Sequence, residues 1–519
     1  MTSSSQTIYR HPWGLVVAIN FGQTAALASS IGLINLLMPR MMTEISADVQ
    51  SIQWVQTSFL LTMVILLPAV GWLGATIGQR RLYMFSTSLF CVTTLLCTLA
   101  WNLPSLIFFR ILQAIGAGLF FPLGTPFIFD AFPPRKRGLV IGVSTLLQSI
   151  ISLGGSVLAS HLVDLFGWRW GFYYLTALAM IGLLSSIPVI PERPLPRAGR
   201  FDLPGCFSLA FSLISLLLLI TRESQGTFFT PENLALLSIF VTSTTAFFII
   251  ETKTAEPFVD LRLYRFPAYA AGSVIGFMIP AATMSTSFLL PIYLQGMQGY
   301  SVFQTSIIYV PSGLVGTMFT PLAGWLSDRM DARLLIAAGL TGMVTAIGSL
   351  STITLQTSPA HLAIMLSILN VSTAFIFTPM SNTMYSSLPH EAVRMASGLY
   401  ALKRQLGRSL GSAFISVFFA MRLNIHGSRL FDDWAMPQSA ARTAQETTEH
   451  FLRDVHMAQP GSSATALIQD MLWEEATIDA FSDCFLIVCI ALLVIIIPLL
   501  FLKDYRIPEP RINEQVQPH

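Results

Sequence analysis

The sequence carries one arginine in the middle of a long apolar run. Arg110 lies in LIFFRILQ, and Gln113 follows three residues later, on the same face of a helix. A guanidinium held away from water is costly unless it is paired or hydrogen-bonded. Arg110 is therefore a candidate for a functional role. Alternatively, it has a structural role in which it binds backbone carbonyls or Gln113.

A second basic cluster occurs much later, in GLYALKRQLGRSLGSAF at residues 398–414. Arg404 and Arg408 are four residues apart and would face the same way on a helix, with Lys403 and Gln405 beside them. The cluster could form a vestibule that attracts anionic groups. Alternatively, side chains of this length near a membrane interface reach out to lipid phosphates.

The composition indicates where such residues must lie. Of the 519 residues, 53% are hydrophobic and only 11% are charged, whereas an ordinary soluble domain has about 25% charged residues. So few charges cannot cover a soluble protein of this size, and a lipid bilayer is the expected environment. The basic residues are scattered, so no nucleic-acid surface is expected.

No pattern of enzyme or metal chemistry stands out in the sequence. The five cysteines form no CxxC pair and no Cys/His spacing, so neither a disulfide framework nor a metal site is expected. No nucleophile or phosphate-loop constellation is present either. We therefore expect no enzyme activity and no cofactor.

Apolar runs long enough to cross a bilayer recur along the whole chain. A spanning helix needs about 20 apolar residues. Fourteen runs meet this requirement: residues 15–38, 54–73, 82–101, 103–129, 139–162, 170–190, 203–220, 234–250, 268–294, 303–326, 334–355, 361–385, 396–421 and 480–502. Two prolines, Pro122 and Pro126, predict a tilt or kink in the fourth run.

Lysine and arginine placement predicts the orientation of these spans. The basic residues are concentrated in connections on the side of the N-terminus, and such connections face the cytoplasm. Both termini are therefore predicted to be cytoplasmic. The polar segment 422–478 is predicted to be an outer hairpin, partly helical.

A short segment occurs twice, as PAVGWLGATIGQRR at residues 68–81 and PLAGWLSDRMDARL at residues 321–334. Both copies end an even-numbered span and precede basic residues. A duplicated six-helix bundle would place them at equivalent positions, and such parallel repeats are a known membrane-protein plan. The predicted division is residues 1–200 for one bundle, 201–255 for a two-helix central insertion, and 256–519 for the second bundle with the outer loop 422–478.

The two copies resemble the loop signature of the major facilitator superfamily, roughly G-x-L-x-D-R-x-G-x-R-R. The resemblance implies a tight glycine turn, a carboxylate that caps the next helix, and arginines that pair across a cytoplasmic gate. The matching residues are Gly71, Gly78, Arg80 and Arg81 in the first copy and Gly324, Asp328, Arg329 and Arg333 in the second. The first copy lacks the Asp-Arg pair, and the second has Asp331 where glycine is expected.

Further segments resemble one branch of that superfamily, the fourteen-helix drug:proton antiporters of the EmrB/QacA type. They are QWVQTSFLL at residues 53–61, RILQAIGAG at 110–118, GWRWGFYY at 167–174, FDLPG at 201–205, EPFVDLRLYR at 256–265 and the segment 398–414. The resemblance implies an all-α integral membrane fold of two six-helix bundles plus two central helices. It also implies proton-coupled export of amphipathic small molecules by alternating access, with Arg110 in the coupling region.

Other polar side chains within the predicted spans could line a path for a substrate. Any single one is more often a hydrogen bond between helices. They are Asn20, Gln23, Asn35, Gln148, Gln295, Asn370 and Asn382, of which Asn35 matches the family's asparagine on the first helix.

The chain departs from the family pattern where proton coupling is concerned. Ser30 occupies the place of the usual acid on the first helix, and serine does not titrate near neutral pH. The fifth-helix signature, roughly G-P-x-x-G-G, reads GSVLAS at residues 155–160. The helix packing there is therefore expected to differ.

Few residues remain that could carry a coupling proton. They are His161, Asp164, Asp479 and Asp483. Histidine titrates most readily in the physiological range, although His161 could equally be a surface residue. Capping at the start of the last helix would explain Asp483.

The favoured hypothesis is a proton-coupled exporter in a bacterial inner membrane. A transporter of one metabolite or siderophore, not coupled through a first-helix acid, is the alternative, and a transport-dead sensor or scaffold is a third. In the outer segment, His426 and Arg429 approximate the H-x-x-R-L stretch of exporters that work with a periplasmic adaptor. Such an adaptor is a candidate partner, together with the substrate, the proton and the bilayer.

Overall fold

The computed structural model describes residues 12–30, 32–66, 69–132, 137–192, 202–222, 230–254, 261–327, 329–435, 449 and 460–502. All regular elements in these ranges are helices, so the predicted all-α membrane fold is confirmed. Thirteen helical stretches in the described residues are long and apolar enough to cross a bilayer. A further helix, α9, packs against α1 and α5 and covers most of the sixth predicted run, residues 170–190.

The first half of the chain contains nine helices in the described residues, because three predicted spans are interrupted. They are α1 Pro12–Ser30, α2 Gly32–Ile45, α3 Val49–Leu66, α4 Ala69–Ile77, α5 Gln79–Thr98, α6 Leu103–Phe120, α7 Gly124–Ala131, α8 Arg137–Phe166 and α9 Arg169–Ser186. A 3₁₀ turn, Phe121–Leu123, separates α6 from α7 and contains Pro122, one of the two prolines that predicted a kink. The first span is divided between α1 and α2, and the second between α3 and α4.

The rest of the described chain forms nine more helices. They are α10 Leu203–Arg222, α11 Pro231–Lys253, α12 Pro267–Gly296, α13 Val302–Ser327, α14 Ala332–Leu350, α15 Pro359–Ser386, α16 His390–Ala435, α17 Pro460–Leu493 and α18 Ile496–Phe501. The central helices α10 and α11 pack on each other, and α10 also contacts α3 and α16.

Two pairs of helices join the halves. Helix α3 packs on α16, and α8 packs on α13. Each pair combines the second span of one bundle with the fifth span of the other, as a pseudo-two-fold axis requires. Gly313 of α13 packs against the Leu153 side chain of α8, whose methyl would lie 2.6 Å from a Cβ added at Gly313.

The two repeated Gly-Trp-Leu segments end in different ways. Gly71 lies inside α4 and Gly324 inside α13, so neither forms the tight turn. The turn is at Gly78, whose φ of 100° favours glycine, immediately before α5. At the equivalent position Asp331 caps α14, with Oδ1 accepting from the Arg333 backbone N–H at 2.8 Å. Asp328, the carboxylate expected to cap, lies outside the described residues.

The polar segment 422–478 is divided between two long helices. Its beginning continues α16 as far as Ala435, and its end belongs to α17, which begins at Pro460. Asp483 therefore lies well inside α17, and its predicted role as a cap is wrong. Its Oδ2 instead accepts a hydrogen bond of 2.6 Å from Arg422 Nε and lies 2.6 Å from His426 Nε2, so the carboxylate ties α17 to α16.

Candidate functional site

Arg110 is fully buried in α6 and binds two other helices of the first half, α1 and α3. Nε donates to the Val55 carbonyl at 2.9 Å, and Nη2 donates to the Ser29 carbonyl at 2.7 Å. Nη1 donates to the Ser29 hydroxyl and to Gln113 Oε1, both at 2.6 Å. These hydrogen-bond partners are all neutral, which corresponds to the structural alternative predicted for this residue. A role of Arg110 in coupling stays a prediction.

The position of Ser29 explains why an arginine suits this place. Ser29 is the penultimate residue of α1, where the last carbonyls have no partner within the helix. A cation at a helix C-terminus is also favoured by the helix dipole. The Phe59 ring centroid lies 4.2 Å from the guanidinium carbon, and Gln113 is fixed in turn by donating to Thr94 Oγ1 at 2.7 Å.

Gln23 donates a hydrogen bond to a backbone carbonyl at the interruption of the fourth span, as Arg110 does at the interruption of the first. Its Nε2 donates to the Phe121 carbonyl at 2.9 Å, at the 3₁₀ turn that interrupts α6. On α2, Asn35 Oδ1 accepts from Gln56 Nε2 at 2.7 Å. The Asn35 amide nitrogen is buried and has no hydrogen-bond partner among the described atoms. Gln23 therefore has a structural contact, whereas Asn35 keeps a free donor.

Hydrogen bonds join the two halves at one end of the bundle, and two longer contacts, Thr57 to Ser412 at 3.4 Å and Thr317 to Ser149 at 3.5 Å, join them further along the helices. Both carboxylate oxygens of Asp164, near the end of α8, accept from the first turn of α13, from the backbone N–H of Val302 at 3.0 Å and of Phe303 at 2.9 Å. Gln295 of α12 donates to the Leu36 carbonyl of α2 at 2.9 Å. We call this end of the bundle the latch end. His161 is exposed there and packs edge-on to Phe303, with ring centroids 5.3 Å apart.

The opposite end of the bundle carries the repeated Gly-Trp-Leu segments, and we call it the GWL end. Its arginines were expected to pair across a gate, but the described contacts stay within one half. Arg80 donates to the Ile187 carbonyl at 3.1 Å, and exposed Arg81 lies 3.9 Å from Glu192. Arg329 stacks on Trp325 at 3.9 Å, and Arg333 donates to the Leu502 carbonyl. Asp328, the carboxylate of the second copy, lies outside the described residues, so pairing of these arginines across a gate stays a prediction.

A polar cavity of about 290 Å³ lies inside the second half, at the middle of its helices. Four helices contribute to it: α12, α13, α15 and α16. The lining residues are Pro280, Thr283, Thr286, Ser287, Tyr309, Leu366, Leu369, Asn370, Thr373, Phe377, Arg404 and Arg408. None of these residues is acidic. The structure thus brings together Asn370 and Arg404, two residues that the sequence singled out separately.

The basic residues of α16 are divided between this cavity and another surface. Arg404 and Arg408 face the cavity, and Arg408 Nη1 reaches Gln405 Oε1 only at 3.4 Å, which is long for a hydrogen bond. Lys403 points to α12, where Nζ donates to Ser273 at 2.7 Å and lies 4.0 Å from the Tyr264 ring centroid. The reach to lipid phosphates that was considered for the whole cluster does not describe Arg404 and Arg408, because protein helices surround them.

Two predicted path residues lie elsewhere. Gln148 is half-buried on α8, which packs against α13. Asn382, at the end of α15, donates to Ser327 Oγ at 3.1 Å in an exposed position. Tyr309, in contrast, lines the polar cavity and was not predicted from the sequence. A phenol within the apolar run IIYVPSG was the available signal.

A larger, apolar cavity of about 380 Å³ lies between α10, α12, α16 and α17. Ser285 is the one polar side chain among its described lining residues, and the Ser285 hydroxyl already contacts the carbonyls of Ala281 and Gly411. Such a cavity can accept hydrocarbon but has no free polar group to orient a ligand. The polar cavity is therefore the better candidate for selective recognition.

Comparison with known families gives a match over most of the chain. The family model described as Major Facilitator Superfamily matches residues 21–412. The uncharacterized MFS-type transporter YhcA of Bacillus subtilis is 25% identical over 513 residues, covering 98% of this chain and 96% of that protein. The riboflavin transporter RibZ of Clostridioides difficile is 27% identical, covering 80% of this chain and 90% of that protein.

A drug-resistance protein and solved structures are also similar. The probable multidrug resistance protein EmrY of Escherichia coli is 25% identical, covering 80% of this chain and 82% of that protein. The crystal structure of a bacterial homolog to the human lysosomal transporter Spinster superposes with a TM-score of 0.63 at 16% identity. It covers 94% of this chain and 97% of that one. At this identity the superposition supports the fold alone.

Proposed function

The chain belongs to the Major Facilitator Superfamily, as the repeated Gly-Trp-Leu segments predicted, and from this premise we propose that it exports amphipathic small molecules by alternating access. It is a multi-pass membrane transporter, and members of this family are not enzymes. The similarity to EmrY, named a probable multidrug resistance protein, supports export of drug-like molecules.

One observation carries this proposal: the halves are joined by symmetric helix pairs and latched at one end. Hydrogen bonds from Asp164 and Gln295 close the latch end, while the described arginine contacts at the GWL end remain within single bundles. The polar cavity lies between the two ends, at mid-height. A carrier that alternates between two states needs such contacts, which form in one state and break in the other.

The proposed function includes an orientation in the membrane and a partner surface. We place the GWL end and both termini in the cytoplasm of a bacterial cell, with the chain in the inner membrane. The bundles then comprise residues 1–200 and 256–519, with 201–255 as the central insertion. The helical arms of α16 and α17 beyond the membrane would offer a surface for a periplasmic adaptor, and the lipid bilayer surrounds the rest.

A proton-coupled mechanism in this chain needs a titratable group outside the first helix. Ser30 replaces the usual first-helix acid, and Arg110 has neutral hydrogen-bond partners in the described structure. Asp164 is the carboxylate best placed to link coupling to motion, because it accepts two backbone hydrogen bonds across the halves.

A second candidate function is transport of one defined metabolite. The similarity to RibZ, a riboflavin transporter, favours it, as does the absence of a first-helix acid. In this case the substrate range would be narrow, and transport could proceed without a proton gradient.

Transport by purified protein in liposomes tests both candidates. We expect a panel of amphipathic dyes to be transported by the protein but not by empty liposomes, at rates that fall when a protonophore removes the pH gradient. Transport that is indifferent to the gradient would refute the coupling part. Transport of a single metabolite from a broad panel would replace the first candidate by the second.

A further inference from the structure

We propose that the polar cavity of the second half binds the anionic group of the transported molecule, with Arg404 and Arg408 as its recognition residues. This inference rests on the proposed function, because it assigns a substrate class to the same carrier. The class is an amphipathic anion with a carboxylate, phosphate or sulfonate head. Nothing in the family membership or in the relatives' names assigns a charge to the substrate of this chain.

The cavity has an excess of positive charge. Two guanidinium groups line a cavity with no acidic residue among its described lining residues. The nearest hydrogen-bond partner of Arg408 is the neutral Gln405, at 3.4 Å. Arg404 lies over aromatic rings, 5.1 Å from the centroid of Phe377 and 6.0 Å from that of Tyr400. Two like charges on one helix face repel each other, so an anion between them would stabilise both.

Neutral hydroxyl groups also line the cavity. The Tyr309 hydroxyl is buried and has no hydrogen-bond partner among the described atoms, although it lines the same cavity. Buried hydroxyls are normally paired, so an unpaired one in a cavity indicates the place of a ligand atom. Thr283, Thr286 and Ser287 add hydroxyls on α12. Guanidinium and hydroxyl donors together match the several oxygens of a carboxylate, phosphate or sulfonate head.

The apolar lining indicates that the anion is part of a larger molecule. Leu366, Leu369 and Phe377 form one wall of the cavity. The volume of about 290 Å³ is larger than an inorganic anion needs and falls near the lower limit of cavities for small organic ligands, about 300 Å³. The lining therefore favours an aromatic or short aliphatic group attached to the charged head.

Three naphthalene derivatives test the proposal on the full-length protein in zwitterionic nanodiscs. Naphthalene-2-sulfonate is the anionic probe, naphthalene-2-sulfonamide the neutral one, and 2-naphthylmethylammonium the cationic one. We expect calorimetry to show binding of the sulfonate at least about tenfold tighter than of the other two. Arg404→Gln and Arg408→Gln should each weaken sulfonate binding by about tenfold.

Lys403→Gln is the matched control, because it removes a neighbouring charge of α16 that does not line the cavity. It should leave sulfonate affinity unchanged. Equal binding of the three probes, or sulfonate binding that survives Arg404→Gln/Arg408→Gln in a variant that still elutes as a monodisperse peak, would overturn the proposal. If nanodiscs with phosphatidylglycerol abolish sulfonate binding through Arg404 and Arg408, the anion is a lipid headgroup and the proposal also fails.

Transport measurements separate this inference from the proposed function. Efflux of neutral or cationic dyes together with charge-independent probe binding would sink the anion site but leave the exporter intact. Arginine-dependent sulfonate binding without transport of any probe would sink the exporter but leave the site intact.

Discussion

The carbonyl oxygen of Ser29 accepts a hydrogen bond of 2.7 Å from Nη2 of Arg110, which lies 81 residues further along the chain. This contact fixes the end of α1 to the middle of the fourth span. It also explains the buried guanidinium by packing within the protein, without contact to a transported molecule. The structure therefore makes Arg110 a residue on which the packing of the first half depends.

Replacing Arg110 should destabilise the protein. Arg110→Gln would leave the Ser29 carbonyl unpaired in an apolar setting, while the Val55 carbonyl would keep only its bond within α3, at a cost of about 2 kcal/mol. Arg80→Gln is the control, because Arg80 also donates to a carbonyl but at an exposed position, where the loss should stay within about 0.5 kcal/mol. Thermal unfolding of both purified variants measures the difference. Equal stabilities would contradict the structural role.

The crossing of α5 and α6 should not tolerate an added methyl group. A Cβ at Gly116 would lie 2.7 Å from the Phe90 backbone nitrogen and 2.8 Å from the Ser86 carbonyl oxygen. Because backbone atoms cannot rotate away, Gly116→Ala should cost about 1–3 kcal/mol. Gly154→Ala on α8 meets nothing within 4 Å, so it should be neutral or slightly stabilising. Unfolding temperatures in detergent check both, and a tolerated Gly116→Ala would count against so close a crossing of the two helices.

The latch end should open more readily without the Asp164 carboxylate. Asp164→Ala removes the acceptor of the Val302 and Phe303 backbone N–H groups, and we expect hydrogen exchange at these two amides to rise by about tenfold or more. Asp164→Asn keeps one acceptor oxygen, so its exchange rates should lie between those of the unchanged protein and those of Asp164→Ala. The first turn of α15, capped by Ser358 within the second half, serves as the internal reference. Unchanged exchange at Val302 and Phe303 would show that the carboxylate does not hold the halves together.

The contact between α16 and α17 should depend on Asp483. Asp483→Asn weakens its bonds to Arg422 and His426, which are about three-quarters buried or more, and should cost about 1–2 kcal/mol. Asp479→Asn is the control, since Asp479 is 52% exposed and lies 3.9 Å from His426, where a pair contributes little. Comparing the thermal stability of the two variants decides the matter. A larger loss for Asp479→Asn would reverse this assignment.

The length of the apolar runs was sufficient to predict most of the fold. The fourteen spans, the kink at Pro122 and the duplicated bundles follow from run length, proline positions and the repeated segment. Helix ends were less predictable, because polar residues that continue a helix beyond the membrane resemble a loop. Residues 422–435 are the clearest example, since hydropathy ends the span near Met421 whereas α16 continues to Ala435.

The candidate site was predicted in pieces. A charge in an apolar run marks Arg110 and Arg404, but their partners are backbone carbonyls, rings and hydroxyls that carry no signal of their own. Tyr309 was missed for this reason, since a tyrosine among apolar residues usually packs in the core. Asp164 was considered only as a titrating group, because the α13 amides it accepts from lie 138 and 139 residues away.

Gln23 and Arg110 have a joint mechanical consequence. Each interrupted span relies on a side chain of the other: α1 supplies the amide for the carbonyl at Phe121, and α6 supplies the guanidinium for the carbonyl at Ser29. If one span tilted without the other, the Ser29 carbonyl would lose Arg110, and the Phe121 carbonyl would lose Gln23 and keep only the Gly124 backbone N–H. The first and fourth spans should therefore move together as one rigid body. Any bending during the transport cycle is then expected outside this pair.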